Sequence, residues 1–270
     1  MIEFSQVNKS FSGVPLLREV SFKVSLGERV SLIGPGGCGK TTLLKILLGL
    51  VPPDAGTALL MSQQMQEEAE QEGEKRRQQI LRRVGMAFQQ GGLFDFMTVR
   101  ENLLFAMSHM TSLSPELMEQ RVKDLLAGVR LPHTTNQFPY ELSGGMKRRV
   151  GIARALCTDP VIALFDEPTS GLDPVTSTII LNMIQDLAGK SGEQKTLLIS
   201  TTNVEIAMRF AERMIVLNDG VIMADGLWKD LLLTGPEWVR HFLGMRLIGL
   251  SLNYVRELGL PDAFIAKHWA

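Results

Sequence analysis

Apolar and polar residues alternate along residues 2–7 and again along 15–24. That period of two predicts an antiparallel hairpin with one face of each strand in a core. Lys9-Ser10-Phe11-Ser12-Gly13 lies between the two runs and is expected to be their loop. Glu28-Arg29-Val30-Ser31-Leu32-Ile33 alternates as well, and Thr42 to Leu48 is apolar at helical spacing. Val51-Pro52-Pro53-Asp54-Ala55-Gly56 breaks that helix, and a short strand is expected at 57–61. Residues 62–79 are rich in Gln and Glu and carry Lys75-Arg76-Arg77, the pattern of a solvated helix, here expected to be interrupted at Gly73. Val84 to Gln89 predicts a buried strand ending in a polar residue. Helices are expected at 98–108, at 115–129 behind Ser114-Pro115-Glu116, and from Lys147 to Cys157. Val161 to Asp166 is an apolar run of the kind found in parallel strands covered on both faces. Thr196 to Ser200 is a second buried strand, followed by a helix to Glu212. Met214–Leu217 and Val221–Ala224 flank Asn218-Asp219-Gly220, a hairpin turn. Residues 227–270 are helical in pattern. Leu247, Leu250, Tyr254, Leu258, Phe264 and Trp269 are too many large apolar residues for a free tail, so they are expected to pack on this chain or on a second one.

Composition narrows the picture. At 270 residues with 45% apolar content, the chain can bury the core of one large domain or two small ones. A net charge of −1 carries no electrostatic footprint for nucleic acid. The two cysteines, Cys38 and Cys157, sit in a glycine-rich turn and after a helix, so no structural disulfide and a reducing compartment are expected. The first residues read as a strand, with no basic and apolar leader. No stretch reaches the roughly 18 apolar residues of a membrane span. The expectation is a soluble chain, or one held at a membrane through a partner.

The chemistry centres on Gly34-Pro35-Gly36-Gly37-Cys38-Gly39-Lys40-Thr41, which fits G-x-x-x-x-G-K-[ST] between a strand and a helix. Glycines there let backbone N–H groups turn toward phosphate oxygens, and the helix N-terminus adds partial positive charge. Lys40 is expected to reach the β- and γ-phosphates and the Thr41 hydroxyl to bind Mg²⁺. A chance glycine turn is the other reading, and the strand-turn-helix context weighs against it. Phe11 either stacks on a nucleobase or fills a loop-edge core, and the residue alone favours the core. Gln89, at a strand end, is placed to touch a metal or a water. Gly91-Gly92-Leu93-Phe94-Asp95-Phe96-Met97 is a docking surface if exposed and core if buried. Ser143-Gly144-Gly145 before a helix is an anion-binding geometry or a plain N-cap. Asp166 can hold Mg²⁺ and Glu167 can polarise an attacking water. Both fall at the carboxyl end of a strand, as the glycine loop does, and open α/β sheets bind ligands there.

Taken in order, the P-loop, Gln89, Leu142-Ser143-Gly144-Gly145, Asp166-Glu167 and Ser170-Gly171-Leu172-Asp173 resemble the ATPase of ABC transporters over about residues 1–244. Glu141-Leu142-Ser143-Gly144-Gly145-Met146, with Met where most families carry Gln, is similar to the Mla/Mkl-type lipid-transport ATPases. Phe88-Gln89-Gln90-Gly91-Gly92-Leu93-Phe94 and Glu237 to Gly244 are similar too. The resemblance implies an α/β P-loop NTPase with a RecA-like core, an antiparallel β subdomain and a helical subdomain at about 90–158. It implies ATP and Mg²⁺ as cofactors. Phe11 would stack on adenine, reversing the preference above. Gly34, Gly36, Gly37, Cys38, Gly39, Lys40, Thr41 and Thr42 would hold phosphates, with Thr41, Gln89 and Asp166 on Mg²⁺. Glu167 would be the general base. Ser143, Gly144 and Gly145 would clamp ATP bound to the opposite subunit, and Asp173 would cross the dimer interface. One position departs: the family's switch histidine falls on Thr202 of Thr201-Thr202-Asn203, and none of the four histidines lies nearby. The implied partners are a second, head-to-tail copy, an integral membrane permease, an MCE-type substrate-binding protein and a small STAS-type subunit, with no nucleic acid. The implied place is the cytoplasmic face of a bacterial inner membrane. Residues 245–270 are left as an extension for dimer or partner contact.

Overall fold

A computed structural model describes residues 1–64, 71–189, 195–245, 247 and 250–268. The elements begin with β1 (Ile2–Phe11), β2 (Val14–Val24), β3 (Arg29–Ile33), α1 (Lys40–Leu47), β4 (Ala55–Leu60), β5 (Gln63–Gln64) and α2 (Gln71–Leu81). Next come β6 (Val84–Ala87), α3 (Val99–Met110), α4 (Pro115–Gly128), α5 (Gly144–Leu156), β7 (Ile162–Asp166) and α6 (Pro174–Gly189). The chain closes with β8 (Thr196–Thr201), α7 (Val204–Phe210), β9 (Arg213–Asn218), β10 (Val221–Leu227), α8 (Trp228–Thr234), α9 (Glu237–Met245), α10 (Leu252–Glu257) and α11 (Asp262–His268).

The chain divides into two compact units, one of residues 1–24, 29–64 and 199–270, the other of 25–28 and 65–198. In the first, β2, β1, β4 and β5 form an antiparallel sheet in that order. The expected hairpin is present but longer than its alternation suggested. Strand β1 runs on to Phe11, which pairs with Val14 across a two-residue turn, so the expected five-residue loop shrinks to Ser12-Gly13. Strand β3 pairs in parallel with β9, from Val30 opposite Arg213 to Ile33 opposite Val216, and β9 turns back into β10. Helix α7 lies on β3, where the Ser31 hydroxyl donates to the Ala207 carbonyl at 2.9 Å. It ends at Phe210, two residues before the expected stop, because Ala211 is already extended.

The tail packs on its own chain. Val255, Leu260, Phe264 and Ile265 join one apolar cluster with Ile33, Val204 and Leu247. Leu250 and Leu258 pack against it. Trp269, grouped with them in the sequence reading, lies outside the described residues.

In the second unit, β6 and β7 pair in parallel, from Val84 opposite Ile162 to Ala87 opposite Phe165. Helices α3, α4 and α5 bury a common core that includes Val99, Leu103, Val122, Leu126 and Val150. Helix α2 is continuous from Gln71, so Gly73 does not interrupt it; a single glycine costs a helix only about 1 kcal/mol. Residues 65–70 of that polar stretch lie outside the described residues. Helix α5 starts at Gly144, three residues earlier than expected, because Ser143 caps it. Both cysteines are buried and neither is in a disulfide, and burial pushes the Cys157 thiol up to about 12. Among the described residues no helix is long and apolar enough to cross a membrane.

Candidate functional site

The glycine loop follows β3 directly. A Cβ on Gly34 would stand 1.9 Å from the Leu217 carbonyl oxygen of β9, so only glycine lets the strand end pass there. Gly39 caps α1 at φ 110°, a conformation that side chains resist. Between them Gly36 and Gly37 are exposed, with open space where a Cβ would stand. Lys40 is 5% exposed, and its ammonium donates to the carbonyls of Gly34 at 2.9 Å and Pro35 at 3.0 Å. The loop is thus closed on itself around a buried cation. Cys38 is buried, and Thr41 and Thr42 are half-buried in the first turn of α1.

Phe11 ends β1 with 49% of its surface exposed, so it is not the core residue the isolated reading preferred. The Lys9 ammonium lies 5.5 Å from its ring centroid and 2.6 Å from Asp54 Oδ1. The Ser10 amide donates to the other Asp54 oxygen at 2.6 Å. Those two hydrogen bonds, Lys9 first, hold the Asp54 carboxyl below its usual range. Thr202 lies at the end of β8, in the same unit as the glycine loop. Its neighbours are pinned. Thr201 is buried and accepts from the Asn203 amide at 3.1 Å, while Asn203 Oδ1 caps α7 by accepting from Ile206 N at 3.1 Å. Thr202 itself is exposed.

The remaining candidates belong to the second unit. Strand β7 is buried from end to end and delivers two carboxyl groups, Asp166 at 2% and Glu167 at 7% exposure. Glu167 has φ 47°, a left-handed backbone that costs a non-glycine residue about 1–3 kcal/mol. The turn is closed by the Ser170 amide donating to the Glu167 carbonyl at 3.1 Å. Asp173 caps α6, accepting from the Thr176 hydroxyl at 2.6 Å and amide at 2.9 Å; these bonds lower its pKa.

Strand β6 stops at Ala87, so Gln89 is not its last residue but an exposed residue of the following turn. Its carbonyl accepts from Arg148 Nε at 3.1 Å. Ser143 is an N-cap, its hydroxyl accepting from Met146 N at 3.2 Å. The first amides of a helix have no partner within it, and Gly144 is exposed with open space at its Cβ position. The N-cap alternative is the one observed, and it leaves Gly144 exposed.

The turn before α3 divides between the two alternatives: Phe94 is 37% and Phe96 75% exposed, while Leu93 packs partly buried against the helical core. Phe94 meets Phe105 edge-on at 5.2 Å. Phe96, Leu104, Phe105 and Met118 line a groove of about 360 Å³ with Glu101 and Glu119 on it. Three contributors were missed from sequence. Asn102, fully buried, accepts from Phe94 N and donates to the carbonyls of Phe94, Met97 and Thr98, which fixes the turn. Leu104 and Phe105 lie off the buried Val99-Leu103-Met107 stripe of α3, a second apolar stripe that helical spacing could have exposed.

The family model described as ABC transporter matches residues 17–170. The chain is similar to the chloroplastic protein trigalactosyldiacylglycerol 3 of Arabidopsis thaliana, 36% identical over 90% of this chain and 73% of that protein. It is similar to the glutamine transport ATP-binding protein GlnQ of Escherichia coli, 37% identical over 89% of this chain and 99% of that protein. Among solved structures, a dimeric ATP-binding cassette in a post-hydrolysis state with ADP and phosphate superposes with a TM-score of 0.74. It is 31% identical, covering 84% of this chain and 98% of that one.

Proposed function

This chain belongs to the ABC transporter family, and from that premise we propose that it powers a permease moving phospholipid or a related lipid. As an ABC ATPase it has the P-loop α/β fold, binds ATP with Mg²⁺ and hydrolyses it; such cassettes work as dimers with membrane permeases. The observation that carries the nucleotide chemistry is the closed glycine loop, with Lys40 buried and held by two loop carbonyls.

The roles run residue by residue. The amides of Gly34 to Gly39 and the Lys40 ammonium take the phosphates, assisted by Thr42, and Phe11 stacks on the adenine. Thr41, Gln89 and Asp166 offer a hydroxyl, an amide oxygen and a carboxylate, the hard oxygen donors that suit Mg²⁺. When bound, that ion neutralises charge on the transferred phosphoryl group. Glu167 orients the attacking water and accepts its proton. Ser143, Gly144 and Gly145 close over nucleotide held by a second, head-to-tail copy, and Asp173 lies at that interface. Thr202 replaces the switch histidine. It can donate one hydrogen bond but no positive charge, and losing a transition-state donor costs about 10²–10³ in rate. Hydrolysis is therefore slow, while ATP binding and dimer closure are kept.

Two observations support the lipid reading: the Met146 signature, and a relative whose name is that of a galactolipid, trigalactosyldiacylglycerol. In this reading an MCE-type protein and a small STAS-type subunit accompany the permease at the cytoplasmic face of the inner membrane. Leu93, Phe94 and Phe96 receive the permease. Amino-acid transport is the second reading, favoured by the likeness to GlnQ. The tagged chain should be purified from detergent-solubilised native membranes. An integral membrane protein carrying phospholipid, with phosphate release raised by added phospholipid, is expected. Stimulation by an amino acid with its binding protein, and none by lipid, would replace the lipid reading with the second.

A further inference from the structure

The tail is built into the nucleotide-binding unit at a telling place. Ile33, the last residue before the glycine loop, and Val204, two residues after Thr202, share one buried cluster with Val255, Phe264 and Ile265 of α10 and α11. Above that cluster, α10 also makes a polar contact with α7. The Tyr254 hydroxyl donates to Glu205, in the first turn of α7. The Arg209 guanidinium lies 4.9 Å from the Tyr254 ring centroid, and its Nε is 3.5 Å from Glu205 Oε1. Tyr254 thus touches α7 twice, at Glu205 and one turn later at Arg209. On another side the same helix is fastened to β3 through Ser31. At its N-terminus it is capped by Asn203, whose own amide is tied to Thr201. Thr202 hangs between those two pinned residues. Its position is therefore set by where the first turn of α7 stands.

We propose that Tyr254 is a positioning residue for ATP hydrolysis, holding Thr202 in place through Glu205 and the first turn of α7. The inference rests on the reading of Thr202 as the residue in the switch position. It turns the tail from a covering segment into part of the hydrolytic apparatus of its own chain. Removing the hydroxyl leaves the ring, its packing and its contact with Arg209, so Tyr254→Phe deletes one bond and little else. Threonine is short, and a small displacement of its Cα moves the hydroxyl out of hydrogen-bonding reach of a phosphate.

The experiment is a double-mutant cycle on the full chain: wild type, Tyr254→Phe, Thr202→Ala and the pair. Phosphate release is measured against a Glu167→Gln blank, beside nucleotide affinity and thermal midpoint. Tyr254→Phe is expected to lower kcat about three- to tenfold, the net size of one ordinary hydrogen bond. KM and the thermal midpoint should stay close to wild type. In the Thr202→Ala background the same substitution should do nothing further, because its effect passes through the Thr202 hydroxyl. Equal fold-losses in both backgrounds would make Tyr254 a merely structural residue and overturn the proposal. So would an unchanged kcat in Tyr254→Phe. If Thr202→Ala itself matches wild type while Glu167→Gln is silent, the reading of Thr202 is what has failed, and the proposal falls with it.

Discussion

The glycine loop after β3 and the switch turn after β8 both follow strands into helices in the same unit, yet they are built in opposite ways. At the first, the chemistry is in the backbone. Gly34 has no room for a Cβ against Leu217, Gly39 stands at φ 110°, and Lys40 is locked to carbonyls of its own loop. At the second, the backbone is held by ordinary devices, a buried threonine and an asparagine cap, and the role proposed for it rests on one exposed side chain. A site written in backbone tolerates almost no substitution. A site written in one side chain can be rewritten without disturbing the fold, and the role proposed for Thr202 uses that freedom.

That contrast can be broken at either end. The largest effect is expected from Gly34→Ala. Its new Cβ meets a backbone oxygen at 1.9 Å, so the strand end must shift. Nucleotide binding should be lost, and stability should fall by more than about 3 kcal/mol, in the range of severe core strain. Fluorescent-nucleotide titration and chemical denaturation check both; retained binding at wild-type stability would show that the loop is not backbone-limited. A smaller effect is expected at the other end. Asn203→Ala removes the cap of α7 and should cost about 1 kcal/mol, seen as faster amide exchange at Ile206 and Ala207. Nucleotide affinity should not follow it. A loss of affinity as large as that of Gly34→Ala would erase the distinction between the two turns.

The same contrast explains what could be read from sequence. Gly34 to Thr41 was legible because a phosphate cradle constrains backbone geometry, and backbone geometry dictates residue type. The buried run ending at Asp166 was legible because a strand covered on both faces must be apolar throughout. The Asp219-Gly220 hairpin was legible from its turn chemistry. Less legible were features decided by tertiary packing. Apolar spacing in the tail required burial but could not say against what; the cluster of Ile33, Val204 and Phe264 answers that. Phe11 looked like core when taken alone, yet a two-residue turn carries it to an exposed strand end. Gln89 fell beyond its strand because pairing of β6 with β7 stops at Ala87. The bonds from Asn102 to the Phe94 turn and from Tyr254 to Glu205 join residues 8 and 49 positions apart through side chains. No local pattern signals such bonds.

In the proposed function hydrolysis is present and is limited by Thr202. Its most direct measurement is phosphate release from Mg-ATP by wild type and Thr202→His, each corrected by Glu167→Gln. Wild type is expected to exceed the blank, and Thr202→His to raise kcat at least about tenfold, toward the 10²–10³ that one transition-state donor supplies. A gain of about threefold or less, with the chain folded and ATP still bound, would contradict it.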